Sequence, residues 1–255
     1  MRHWLGVTLS LIGVVAILWL GFTGRLELYI HPRYVVFTVV MAIIGGTLSI
    51  AAFLVIPPRT KHDGDDEHGH GHEGVDEEPP RTGLRAAVAF GGSVVLVAAS
   101  IVALLVLPPA TLSSVTADNR DIADSTALAS ADTTQLVGGD PLTFTVKDWA
   151  TLLHQGLGDD FFTGKQARFS GFIVATDGPD VVYVARFLVT CCAVDAQPLG
   201  VPVLIPGWDS TYDVDDWIEV SGGFGSNPDA GAAEPIVLQP DQVTPIEQPA
   251  QPYVY

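Results

Sequence analysis

Residues 3–24, 34–58 and 86–117 contain no Asp, Glu, Lys or Arg. Inside them lie three apolar runs, at 4–22, 34–56 and 86–107. As helices rising 1.5 Å per residue, each run is long enough to approach or exceed a hydrocarbon core of about 30 Å. The double prolines Pro57-Pro58 and Pro108-Pro109 close the second and third runs, because proline has no N–H to continue the helix. No small-x-small cleavage site of quality follows the first run, so it reads as a retained helix and not a signal peptide. Gly45-Gly46 in the second run permits close helix contact, as do Gly91, Gly92, Ala98 and Ala99 in the third. Helix packing is the simpler use of these small residues, and pore lining is the alternative. None of the spans carries an ionisable Asp, Glu, Lys or Arg, which argues against a self-sufficient ion-coupled transporter.

The pattern changes after Pro109. Residues 111–134 are Ser, Thr, Ala and Asp without an apolar period, which predicts a tether. Leu142, Phe144 and Val146 alternate, predicting a short strand. Asp148 can then cap a helix whose face carries Trp149, Leu152 and Leu153. Strand-like runs follow at 165–175, 181–189, 200–205, 216–224 and 235–240, separated by turn signals such as Asp177-Gly178-Pro179. The expected organisation is a three-helix transmembrane region over 1–109, a tether over 110–135, and a mostly-β soluble domain over 136–255. Five or six short strands with one helix fit a small β-barrel of the oligonucleotide/oligosaccharide-binding (OB-like) type, with a β-sandwich as the alternative.

Charge sharpens the division. The chain combines a mean hydropathy of +0.35 with a net charge of -17. These coexist because apolar and acidic residues occupy different segments: residues 118–255 hold 20 Asp or Glu against 5 Lys or Arg. Such an acidic domain excludes nucleic-acid binding, which needs clustered Lys and Arg. Arg2, Arg59, Lys61, Arg81 and Arg85 fall on one side of the expected spans, and Arg25 and Arg33 on the other. That asymmetry predicts a multi-pass protein of the cell membrane, anchored in the lipid bilayer, with a cytoplasmic N-terminus and an extracellular C-terminal domain.

Three constellations could carry chemistry. The loop 59–85 contains His62, His68, His70 and His72 with Glu73 and further acids. Imidazoles alternating with glycine can wrap zinc or another divalent transition metal; the simpler reading is a solvated acidic loop. The second constellation is the run from Arg186 to Asp195, with the adjacent pair Cys191-Cys192. The pair admits three uses: two buried small residues, a soft-metal or ligand site with Asp195 or His154, or redox chemistry through a vicinal disulfide. The two-residue spacer of a thioredoxin-like motif is missing. The third set is Trp208, Asp209, Tyr212, Asp213, Asp215, Asp216 and Trp217, which does not match a calcium-loop spacing. Phosphate-binding, zincin, dinucleotide and Gly-x-Ser-x-Gly signatures are absent from the sequence.

The segments GKQARFSGFIVA, RFLVTCCAVDAQPLGVPV and DDWIEVSGGF, behind three apolar runs, resemble a bacterial family of two-component membrane permease complex subunits. Arg186-Phe187, Cys191-Cys192 and Asp195-Ala196 carry the specific part of the likeness. The resemblance implies a non-enzymatic accessory subunit that pairs with a separate polytopic permease subunit. The histidine loop adds a link to divalent metal handling. The alternative is a membrane-anchored thiol redox or hydrolytic enzyme using Cys191 or Cys192, for which His154 is the one histidine of the expected soluble domain.

Overall fold

A computed structural model describes residues 2–55, 83–103, 111–120, 122, 139–229 and 231–255. The chain forms two compact units, one of Met1–Leu26 with Val35–Pro109, the other of Glu27–Tyr34 with Ala110–Tyr255.

The first unit contains α1 (Arg2–Phe22), α2 (Val35–Val55) and α3 (Gly83–Ile101). Small residues let α1 and α2 approach: a Cβ on Gly46 would stand 3.1 Å from Val14, and one on Gly21 would stand 2.8 Å from Val39. Ala16 and Ala42 are buried.

The expectation of three membrane spans is corrected. Among the described residues, one helical stretch, Pro32–Ala52, is long and apolar enough to cross a bilayer; Gly6–Phe22 is a shorter apolar helix. The third helix, Gly83–Ile101, carries Arg85 in its first turn. The multi-pass location is corrected with it, as are the cytoplasmic and extracellular assignments that three crossings required.

The second unit is built on strands. Its elements are α4 (Ser114–Asp118), α5 (Val146–His154), α6 (Asp159–Phe162), β1 (Gln166–Ala175), β2 (Val181–Leu188), β3 (Gln197–Leu204), β4 (Trp217–Ser226), β5 (Ile236–Pro245) and β6 (Tyr253–Val254). They form one six-stranded mixed sheet in the order β1-β4-β5-β3-β2-β6, with β1 also pairing β2. The β1–β4, β4–β5, β1–β2 and β2–β3 ladders are antiparallel; β6 lies parallel to β2. The small OB-like barrel, and the sandwich offered beside it, are corrected to this mixed sheet. β3 and β5 meet in parallel at one partner pair, Val203↔Leu238. The C-terminal Tyr253 and Val254 add an edge strand that their two-residue length hid in the sequence.

Both faces of β1 and β2 are covered, which explains why their apolar runs are nearly continuous. One face places Ile173, Val182 and Val184 in a cluster with Trp149 and Leu152 of α5 and with Leu199, Val201, Ile218 and Leu238. The other places Phe172, Val174, Ala185 and Phe187 with Ala117 of α4, Ile122, Val189, Ala196 and Tyr253. Gly171 is required where β1 crosses β2, since a Cβ there would lie 2.5 Å from the Ala185 carbonyl oxygen.

Local details depart from the sequence expectation in two places. The predicted strand at 142–146 is a 3-10 turn, Pro141–Thr143, because Asp140 accepts from the Leu142 N–H and turns the chain. Thr145, not Asp148, is the N-cap of α5; Asp148 sits at the third position and its carboxylate accepts from the Thr145 N–H at 2.8 Å. Within the expected tether, α4 packs on the sheet. Its Ser114 donates to the Asp215 carboxylate through N–H (2.6 Å) and hydroxyl (2.9 Å).

Candidate metal and thiol site

The site lies in the bend between β2 and β3. Val189 before it and Ala196 after it are both buried in the second cluster, so the intervening residues leave the core and return to it over a short span. Ala193–Asp195 forms one turn of 3-10 helix within that span. Asp195 organises the bend. Its carboxylate accepts the backbone N–H of Cys191 at 2.7 Å and those of Thr190 and Cys192 at 3.3 Å each. Three donors converging on one carboxylate fix its position without using a neighbouring lysine or arginine.

This bend brings the two sulfurs to 3.5 Å from each other, with Cys191 exposed and Cys192 half-buried. Both are free thiols. The bend turns both side chains to the same place, so the reading of two buried small residues does not hold for the exposed Cys191. The sulfurs and an Asp195 oxygen lie within 4.8 Å of one another, the spacing of groups that can share one metal ion.

Electrostatics favour the proton on the Cys191 thiol when no cation is present. Hydrogen bonding of the Cys191 side chain with Asp195 foremost, then with Cys192, and smaller contributions from burial and the carboxylate charge push its pKa up to about 12. Burial acts to raise the Asp195 pKa. The hydrogen bonds from the Cys191 side chain and the three backbone N–H groups outweigh it and hold the carboxyl below its usual range. The site is therefore an anionic acceptor beside the proton-bearing sulfur of Cys191.

A segment far away in sequence completes the surroundings. Ile30 pairs with Cys192 in an isolated antiparallel bridge. The His31 N–H donates to the Cys191 carbonyl at 3.0 Å, and the Ala193 N–H to the Tyr29 carbonyl at 2.8 Å. The C-terminus braces this segment: the Tyr255 hydroxyl donates to the Glu27 carbonyl at 3.2 Å, and its ring lies 4.8 Å from that of His31. Nothing in the sequence signals this pairing, since 160 residues separate the partners.

The other expected site residues are placed elsewhere. Arg186 points to β1, donating to the Ser170 carbonyl and hydroxyl oxygens at 2.8 Å each and lying 5.3 Å over the Trp217 ring. Burial lowers its pKa. His154 is exposed at the last turn of α5, and among the described residues no histidine hydrogen-bonds either sulfur. The acidic and aromatic set has structural work. Trp208 and Tyr212 pack on the first cluster, Asp216 accepts from the Asp213 N–H at 2.9 Å, and Asp215 holds Ser114. His62, His68, His70, His72 and Glu73 lie outside the described residues.

Comparison with known families gives two adjoining matches. Residues 125–255 match the DUF1980 C-terminal domain, and residues 7–123 match the DUF1980 N-terminal domain. No curated protein matches the chain. The resemblance to permease complex subunits is corrected here: it relied on three spans where the described residues hold one candidate, and a Cys-Cys-Asp cluster by itself does not define such a subunit.

Proposed function

The chain belongs to the DUF1980 family, and we propose that its β domain binds a thiophilic transition metal ion, with zinc the leading candidate, through Cys191, Cys192 and Asp195. The observation that carries this reading is the convergence of two sulfurs and one carboxylate within 4.8 Å. Zinc takes thiolate and carboxylate ligands together, at about 2.3 Å and about 2.0–2.2 Å. Binding would exchange the two thiol protons for the metal, M²⁺ + 2 RSH → M(SR)₂ + 2 H⁺, with the protons released to solvent. The ion would then neutralise the charge that holds the Cys191 proton in place. The same charge disfavours a nucleophilic enzyme. A thiol pushed up to about 12 offers little thiolate near neutral pH, and among the described residues no histidine hydrogen-bonds it.

Cobalt(II) substitution tests the proposal on the full-length protein in detergent. Sulfur ligation gives a thiolate-to-cobalt charge-transfer band that histidine and carboxylate ligation do not, so the histidine loop cannot imitate it. The wild type should show the band, and Cys191→Ser with Cys192→Ser should abolish it. Absence of the band in the wild type overturns the reading.

A second reading is thiol redox. It is favoured by the 3.5 Å separation of the sulfurs. Exchange with an external disulfide would form the Cys191–Cys192 bond and reduce the external disulfide to two thiols, conserving electrons and protons. Loss of both free thiols on treatment with oxidised glutathione, reversed by a reductant, supports it; thiols that remain titratable sink it.

A further inference from the structure

The three donors leave a tetrahedral ion one ligand short, and structural zinc sites are almost always four-coordinate. We propose that His31 supplies the fourth ligand, so that the metal joins two chain segments 160 residues apart. This rests on the metal reading above and extends it to a residue outside the Cys191–Asp195 bend.

Three observations converge on His31. First, its backbone is tied to the site: the His31 N–H donates to the Cys191 carbonyl at 3.0 Å, beside the Ile30↔Cys192 bridge. Ile30 is the residue opposed to Cys192, and His31 follows it directly, so the backbone of His31 is fixed beside Cys191. Second, the ring is half-buried against Tyr255, with centroids 4.8 Å apart and planes at 60°. Third, the present ring position is held weakly: its Nδ1 accepts the exposed Arg33 N–H at 3.2 Å. Ligation requires the imidazole to leave that bond, and water can take over the Arg33 N–H at little cost. Imidazole is also the borderline ligand most often combined with thiolates on zinc.

The surroundings are otherwise poor in competitors. Glu27 is engaged by the Gln251 side-chain amide. Arg120 donates to the carbonyls of Ala196 and Val194, so it reaches the bend through backbone oxygens and not through the carboxylate of Asp195. The His31 ring nitrogens lie outside the group of donors within 4.8 Å of one another, so its ring must turn toward the bend to complete the set.

The experiment compares wild type, His31→Ala and His31→Cys in the full-length protein. Zinc affinity is read by competition with a chromophoric chelator, and sulfur ligation by the cobalt(II) charge-transfer band. His31→Ala should keep the band, because both sulfurs still bind, while zinc affinity falls at least about tenfold, the scale of losing even an outer ligand partner. Its cobalt ligand-field spectrum should lose tetrahedral character. His31→Cys should restore affinity and strengthen the charge-transfer band, a rescue that a merely structural role for His31 would not give. Unchanged affinity and spectrum in His31→Ala overturn the assignment of His31 and leave the three-donor reading standing. A wild type without the charge-transfer band overturns both. Far-ultraviolet circular dichroism and melting temperature identify a misfolded His31→Ala; in that case failure of His31→Cys to bind more tightly than His31→Ser overturns the proposal.

Discussion

Replacing Asp195 with Asn should make Cys191 more reactive, although the substitution removes a charge from the site. Asp195 is the first cause of the raised Cys191 pKa, which stands at about 12 against an ordinary 9.0. At pH 8, a full return to the ordinary value would raise the thiolate fraction roughly 900-fold. A less basic thiolate is a weaker nucleophile, with a Brønsted coefficient of about 0.4–0.5, which takes back roughly 20- to 30-fold. The net acceleration is therefore roughly 30- to 60-fold at most. The bond to Cys192 and the burial contribution remain, so an observed gain on the order of tenfold is expected. The assay is the iodoacetamide rate at Cys191, followed by mass spectrometry of the peptide at pH 8 in the presence of chelator. An Asp195→Asn rate equal to or below that of the wild type would refute the claim that the carboxylate holds the thiol proton.

Four further outcomes follow from the same structure. Asp195 lies below its usual carboxylate range, so its stabilisation should be complete above that range and disappear as pH falls through its folded pKa; the melting-temperature gap between wild type and Asp195→Ala should therefore close on acidification, and a constant gap counts against it. Gly171→Ala should unfold the domain or cost more than about 3 kcal/mol in denaturant titration, because its Cβ would meet the Ala185 carbonyl at 2.5 Å. Asp215→Ala should cost about 2 kcal/mol, since Asp215 sits at φ 74° and accepts two hydrogen bonds from Ser114; Asp215→Asn, which tolerates that backbone, should cost less. Trp149 is fully buried and its Nε1–H has no partner among the described residues, so Trp149→Phe should cost less than half the about 3–5 kcal/mol of Trp149→Ala.

The strand segments were legible because alternation and apolar runs report burial directly. The runs at 165–175 and 181–189 correspond to β1 and β2, whose residues line both clusters. Their pairing was not legible. Local pattern does not encode that β1 contacts both β4 and β2, or that β3 and β5 share one pair. An apolar run in the sequence does not fix where its helix begins, as Arg85 inside the first turn of α3 shows. Cys191, Cys192 and Asp195 were visible together because they are four residues apart or fewer. A turn then does what spacing alone suggested, with Asp195 drawing in the N–H groups of both cysteines. His31 was invisible, since its approach depends on the Ile30↔Cys192 bridge and on Tyr255 at the far end of the chain.

The central claim is that the metal sits on sulfur. X-ray absorption at the zinc edge of the zinc-loaded full-length protein measures this directly. The expected result is a shell of two sulfur scatterers at about 2.3 Å with nitrogen or oxygen neighbours at about 2.0–2.2 Å. A shell made only of nitrogen and oxygen would show that the ion binds elsewhere and contradict the assignment to Cys191, Cys192 and Asp195.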